Sequence, residues 1–204
     1  VIAWLNGRIL VGEGASQMKY QLKKGKNIWY SFKMELGEDL GAKYYDSELR
    51  EVDPFRIKNP VDAARVFFAY LKYLIIKYCT ENNISTDILY AVSIPASFEA
   101  NQRKDLLDAL MANGMKVSKQ ALIDEPNAAF ISYAVSRAAE DRPMFISPDY
   151  NSKVLVFDFG GGTCDISILE IGQSANGFFS KNIAISKFTK LGGDDIDRYI
   201  TYHY

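Results

Sequence analysis

The chain has 204 residues, 24 basic against 25 acidic side chains for a formal net charge of −1, and 48% hydrophobic content. That composition supplies apolar material for one or two compact cores, and the balanced charge gives no electropositive footprint for a nucleic acid or an anionic membrane surface. A single histidine, His203, excludes a His-rich metal cluster and a Ser-His-Asp triad resting on any other histidine.

The chain opens at Val1 in what reads as a strand or hairpin in progress, so an excised piece of a longer protein is expected. Val1–Val11 reads as strand, Glu13–Lys23 as a short helix, Ile28–Lys33 as extended and Tyr44–Val52 as a further strand. The basic cluster Lys19, Lys23, Lys24 and Lys26 is read as a solvated face. Asn59-Pro60 is a helix start, with Asn as N-cap and Pro at the first helical position. Val61, Ala64, Phe68, Leu71, Ile75 and Tyr78 then recur at helical spacing through about Glu81. Asp62, Arg65, Lys72 and Lys77 interrupt this run, so it is a core helix and not a membrane span.

Alternating units follow. Ile88–Ile94 is a strand closed by Pro95, and Glu99–Asn113 is an amphipathic helix with Leu106, Leu107, Leu110 and Met111 inward and Gly114 ending it. Gln120–Ile123 is a short strand. Asp124-Glu125-Pro126 opens a helix reaching about Arg137, with Ala128, Ala129, Ile131 and Ala134 as its packing face. Residues 139–152 read as a connector, Phe178–Phe188 as a strand, and Leu191-Gly192-Gly193-Asp194-Asp195 as the start of a last helix. Strands alternating with helices imply an α/β fold, and hairpin strands beside such units imply a mixed sheet. Cys79 and Cys164 form no C-x-x-C pair, which fits a reducing compartment, with the cytoplasm as the expected location.

The most informative segment is Val154–Leu169. An apolar run ends at Asp158, Gly160, Gly161, Gly162 and Thr163 follow after Phe159, and the sequence then alternates with period two. The glycines therefore sit at the tip of a hairpin and do not open a helix, which excludes both the dinucleotide fingerprint and the P-loop. Ordinary hairpins use one or two glycines. Three in a row suit a turn that brings bare backbone N–H groups against an anion. An acid before the turn and a hydroxyl after it suit a phosphate with a divalent metal. Alternation places Cys164, Ile166 and Ile168 opposite Asp165, Ser167 and Leu169, and Cys164 is expected to turn into the core.

Several motifs, in order, resemble one family. Asp158-Phe-Gly-Gly-Gly-Thr-Cys-Asp165 resembles the second phosphate loop of the seventy-kilodalton heat-shock chaperones, members of the actin-like ATPase superfamily. Ala91–Phe98 followed by Asn101-Gln-Arg103 resembles the family's Val-Pro-Ala-x-Phe…Gln-Arg segment. Asp124-Glu-Pro-Asn-Ala-Ala129 resembles Asn-Glu-Pro-Thr-Ala-Ala, and Leu191-Gly-Gly-Asp-Asp-Ile-Asp197 resembles Leu-Gly-Gly-x-Asp-Phe-Asp. Phe32-Lys33 with Gly37 resembles the loop bearing the family's catalytic lysine, although Met34 stands where members often carry a basic residue.

The resemblance implies part of an actin-like ATPase (ribonuclease H-like) domain: 1–58 as the outer subdomain of lobe I, 59–152 as part of its inner subdomain, and 153–204 as the start of lobe II. It implies ATP/ADP and Mg²⁺ as ligands. Gly160, Gly161, Gly162 and Thr163 would cradle phosphate, Gly193 would approach the nucleotide, and the Thr163 hydroxyl would approach the γ-phosphate. Asp158 would hold Mg²⁺ through its water shell. Asp165 would line the same site, the alternative being a solvent-facing strand residue. Glu125 would orient the attacking water, against the simpler reading of favourable charge at a helix N-terminus. Lys33 would stabilise the transferring phosphoryl group, and Pro95 and Arg103 would relay nucleotide state towards a client-binding half.

The family's first phosphate loop and its later adenosine-binding segments have no counterpart here, so this piece alone is expected to bind ATP weakly and hydrolyse it negligibly. Client polypeptides and co-chaperones are the expected partners of the parent protein, with no nucleic acid or membrane. An actin-like filament or scaffold protein is the alternative. A carbohydrate kinase lacks a locatable sugar site, and the presence of Glu125, Asp158 and Thr163 argues against a degenerate adaptor.

Overall fold

Asn6 and Gly7 both take positive φ, 52° and 71°, the mirror-image turn that matches strand twist. They fold β1 (Ile2–Leu5) antiparallel onto β2 (Arg8–Val11), and β3 (Ile28–Trp29) pairs with the other edge of β1. In this computed structural model the described residues are 1–118, 121–140, 151–174, 177–186 and 191–203. They divide into one unit of residues 1–90 with 99–118, and a second of residues 91–98 with those from 119 onward.

In the first unit, Ile2, Trp29, Tyr44, Leu49, Ile57, Ala63 and Val66 form the core. Helix α1 (Glu13–Ser16) is shorter than expected, because 18–22 continue as turns. The extended stretch ends at Trp29: Ser31 takes φ 57° and Phe32–Glu35 forms a 3₁₀ turn. Tyr44–Val52 is not a strand. Ser47, Arg50 and Val52 donate their amides three residues back, to Tyr44, Ser47 and Leu49, so successive turns capture groups that a strand would offer to a neighbour.

Helix α2 (Pro60–Glu81) starts as the sequence dictates, with Asn59 Oδ1 accepting from Asp62 N–H at 2.8 Å. Its buried positions are Pro60, Ala63, Ala64, Val66 and Cys79, while Tyr78 is exposed. Helix α3 (Ala100–Met111) packs on α2 and is tied to it by Lys72 Nζ donating to the Asn113 carbonyl at 2.6 Å. Ala109 and Leu110 face inward, whereas Met111 is exposed and not inward as expected.

Glu35 is buried beside two lysines. Its carboxylate accepts from Lys43 Nζ and from Tyr44 OH (2.8 Å), and Lys24 Nζ lies 3.2 Å away. Burial pushes the Glu35 pKa up, but the Lys43 and Tyr44 hydrogen bonds and both ammonium charges outweigh it and leave it below the usual 4.5. Burial and the neighbouring carboxylate push the Tyr44 hydroxyl up. A depressed carboxylate contributes stability above its unfolded pKa and loses it as pH falls through the folded one. Thermal unfolding followed between about pH 6 and pH 3 should therefore show a steeper fall in the wild type than in Glu35→Gln. At neutral pH the substitution should cost about 1–3 kcal/mol. Parallel curves would remove this role.

The second unit pairs β4 (Val92–Ile94) in parallel with β5 (Leu122–Asp124), and orders β6 (Ser152–Phe159), β7 (Cys164–Ser174) and β8 (Gly177–Ile185) as an antiparallel sheet. The chain is thus a mixed α/β protein. Helix α4 (Glu125–Ala139) follows β5 without a loop and covers one face of the antiparallel sheet, with Phe130 and Ala134 packed against Val154, Val156, Leu169 and Ile171. Four-residue spacing sets that stripe; the expected Ala129 and Ile131 face outward. The last helix is α5 (Gly193–His203). Most of the connector expected over 139–152, position 120 of the short strand, and the end of the strand expected through Phe188 lie outside the described residues.

The hairpin forms as the alternation requires, but the other face is the inner one. Asp165, Ser167, Leu169 and Ile171 are buried, the last two beneath α4. Cys164 is half-buried, not in the core, and shares the outer face with the exposed Leu155, Phe157 and Ile166. Alternation separates two faces without saying which one a helix will cover.

Candidate functional site

The hairpin register brings Phe159 opposite Cys164 and Asp158 opposite Asp165, and Gly160 N–H closes the turn on the Thr163 carbonyl at 2.9 Å. The tip is docked against the start of α5. Gly193 N–H donates to the Gly160 carbonyl at 3.0 Å, and Asp194 N–H to the Gly161 carbonyl at 2.7 Å. The first amides of a helix have no partner within it, and here the hairpin supplies one for each. In a trans peptide the C=O and the following N–H point in opposite directions. Carbonyls of Gly160 and Gly161 fixed on α5 therefore turn the N–H groups of Gly161 and Gly162 away from it. Among the described residues, no backbone or side-chain acceptor takes the N–H of Gly161, Gly162 or Thr163.

Gly192 permits this docking. A β-carbon there would lie 2.5 Å from Gly162 N and 2.6 Å from Gly161 C and O. Gly192 N–H in turn donates to Asp195 Oδ2 at 3.0 Å, and Asp195 N–H returns to the Gly192 carbonyl at 3.0 Å. The expected site residue Gly193 thus lies against the hairpin with its N–H committed to the loop.

Below the tip stand the two carboxylates. Residues directly opposite in an antiparallel pair project to the same side, where like charges repel. Asp158 is exposed, while Asp165 is buried and accepts from Ser97 Oγ at 2.6 Å. Burial removes the alternative reading of Asp165 as a solvent-facing strand residue. Among the described residues no group of three or more His, Cys, Asp or Glu side chains is placed to hold a metal ion. Two carboxylates beside a glycine turn nonetheless fit Mg²⁺, which keeps several waters and takes few protein ligands. The unbonded amides and the close glycine contact fit a polyphosphate.

Glu125, half-buried, is the first residue of α4, and Asp124 before it pairs with Ile94. Pro95 is buried at the end of β4, with Phe98 N–H donating to its carbonyl at 3.1 Å. Glu125 and the Pro95–Ser97 turn therefore leave the C-terminal ends of neighbouring parallel strands, and the Ser97–Asp165 bond ties the hairpin, just below its tip, to that end. Pro95, Glu125, Asp158, Gly160–Gly162, Thr163, Asp165 and Gly193 all belong to the second unit.

Lys33 and Arg103 belong to the first unit, on neighbouring elements. Lys33 is exposed on the 3₁₀ turn and Arg103 is half-buried in α3. Gly37 joins the two. It takes φ 78°, its N–H donates to Asp105 Oδ2 and its carbonyl accepts from Asn101 Nδ2, both at 2.8 Å. A β-carbon on Gly37 would lie 2.7 Å from Gln102 Cγ.

Sequence reasoning missed Ser97 and Gly192 although both lie inside the quoted motifs. It also missed Asn182, whose partners, described below, are distant in sequence.

Three comparisons bear on identity. The Hsp70 protein family matches residues 1–204. A "Heat shock cognate HSP70 protein" of Trypanosoma brucei brucei is 29% identical over 224 residues, covering 99% of this chain and 30% of the relative. A "Chaperone protein DnaK" of Nitrosopumilus maritimus (strain SCM1) is 30% identical over 196 residues, covering 95% of this chain and 26% of the relative. The chain thus spans less than a third of the length of these curated relatives. No helix among the described residues is long and apolar enough to cross a membrane. Matched from end to end, with its triple-glycine hairpin, its Glu-Pro helix start and its Leu-Gly-Gly turn in order, the chain belongs to the Hsp70 family.

Proposed function

We propose that this chain forms part of the ATP-binding and ATP-hydrolysing site of a molecular chaperone, on an actin-like ATPase framework, and that hydrolysis controls the grip on client polypeptides. The observation that supports this reading best is the run of three main-chain N–H groups at Gly161, Gly162 and Thr163, held open because α5 occupies the carbonyls behind two of them. Each such bond to a charged phosphate contributes about 1.5–3 kcal/mol. Asp158 and Asp165 would hold Mg²⁺, which would supply positive charge against the phosphates. Ser97 fixes the Asp165 carboxylate in place.

Glu125 accepts a hydrogen bond from the attacking water and orients it, and the Thr163 hydroxyl contacts the terminal phosphate. Lys33 offsets charge on the transferring group; phosphoryl transfer depends mainly on such positioning and charge. Pro95 and Arg103 carry nucleotide state towards the client-binding part, and co-chaperones act on that cycle in the cytoplasm. The filament or scaffold alternative is not favoured by relatives named as chaperones.

The test is ATP turnover and Mg·ATP affinity of the full-length protein, wild type and Lys33→Ala. Slow hydrolysis by the wild type and a roughly 10²-fold lower rate in the variant, at nearly unchanged affinity, are the expected results. A wild type that neither binds nor cleaves ATP would overturn the reading.

A further inference from the structure

The start of α4 is held by a line of side-chain hydrogen bonds that none of the assigned roles uses. Ser180 Oγ on β8 donates to Asn127 Oδ1, Asn127 Nδ2 donates to Asn182 Oδ1 at 3.2 Å, and Asn182 Nδ2 donates to Asp124 Oδ2 at 2.7 Å. Every donor points the same way and the line ends on a carboxylate. Charge-assisted bonds are the stronger kind, and aligned bonds polarise one another. Both amides use their oxygen and their nitrogen: turning Asn127 over would set its oxygen against Asn182 Oδ1, and turning Asn182 over would set donor against Asn127 and acceptor against Asp124. The arrangement therefore has one orientation.

Its position gives it a consequence. Asp124 ends β5 and Asn127 lies in the first turn of α4, so the two anchored residues bracket Glu125 in sequence. Asn182 sits opposite Leu169 of β7, on the sheet face that α4 covers through Phe130. Pro126 fixes its own φ, and the side-chain bonds anchor the residues on either side of the Glu125-Pro126 step. We infer that Asn182, acting through Asp124 and Asn127, is a positioning residue that sets the direction of the Glu125 carboxylate. The inference rests on the proposed role of Glu125 and goes beyond it, by assigning the aim of that carboxylate to β8.

The test measures kcat and Mg·ATP affinity in full-length Asn182→Ala, Glu125→Ala and the double variant. Asn182→Ala should lower kcat about tenfold, inside the ~10²-fold that a 1 Å misplacement near the chemistry costs, with affinity within about twofold of wild type. In the Glu125→Ala background it should change kcat no further, since coupled residues are not additive. Ser180→Ala removes only the outermost bond, and should lower kcat about threefold; it carries the test if Asn182→Ala fails to fold. Wild-type kcat in Asn182→Ala or in Ser180→Ala, with Glu125→Ala impaired, would overturn the inference and leave the Glu125 assignment standing. Independent, multiplying losses in the double variant would also overturn it. Wild-type turnover in Glu125→Ala would instead remove the assignment beneath it.

Discussion

Replacing Gly192 with valine is expected to abolish useful Mg·ATP binding by the full-length protein. The first added carbon would fall 2.5 Å from Gly162 N and 2.6 Å from Gly161 C and O. Those atoms are backbone and cannot swing aside. Either the hairpin tip or the start of α5 must move, which breaks the Gly193–Gly160 and Asp194–Gly161 bonds. With the carbonyls released, nothing holds the Gly161 and Gly162 N–H groups in one direction. Losing two such contacts to phosphate costs about 3–6 kcal/mol, at least about 10²-fold in affinity. Gly14→Ala supplies the comparison: its added carbon meets nothing within 4 Å, and affinity should stay at the wild-type value. Calorimetric titration distinguishes the two. Wild-type affinity in Gly192→Val would mean that the docked geometry does not matter to the ligand.

The second large effect is expected at Glu125. Charge at the start of a helix contributes only about 0.3–1 kcal/mol of stability, so Glu125→Ala should still fold and bind Mg·ATP within about threefold of wild type. Single-turnover hydrolysis should nevertheless slow about 10²-fold, the scale lost when a group that positions the nucleophile is removed. Glu125→Gln keeps an acceptor oxygen in the same place and should recover part of the rate. A rate unchanged in Glu125→Ala would leave the residue with a structural role alone.

Local chemistry was the legible part of the sequence. Asn59-Pro60 encodes its helix start within four residues, and the structure uses the Asn59 cap as expected. The strand–glycine–strand pattern around Gly160–Gly162 encodes a hairpin with the same immediacy, and that hairpin forms. What failed depends on what packs where. Tyr44–Val52 looked like a strand because of its residue types, yet its amides found partners three residues away and Tyr44 was drawn to Glu35. Alternation turns Cys164 away from Asp165 and so predicts it inward, but α4 covers the opposite face through Phe130. Asn182 carried no signal at all: a polar residue in a strand acquires meaning only when Asp124 and Asn127 arrive from 58 and 55 positions away.

The central claim is that the amides at the hairpin tip receive the phosphates. The most direct measurement is a titration of full-length protein, labelled with nitrogen-15 at glycine and threonine, with Mg·ATP. Saturating shifts at Gly161, Gly162 and Thr163, larger than that of Gly172 further along β7, are the result this account predicts. Saturable binding that leaves those three resonances in place would contradict it.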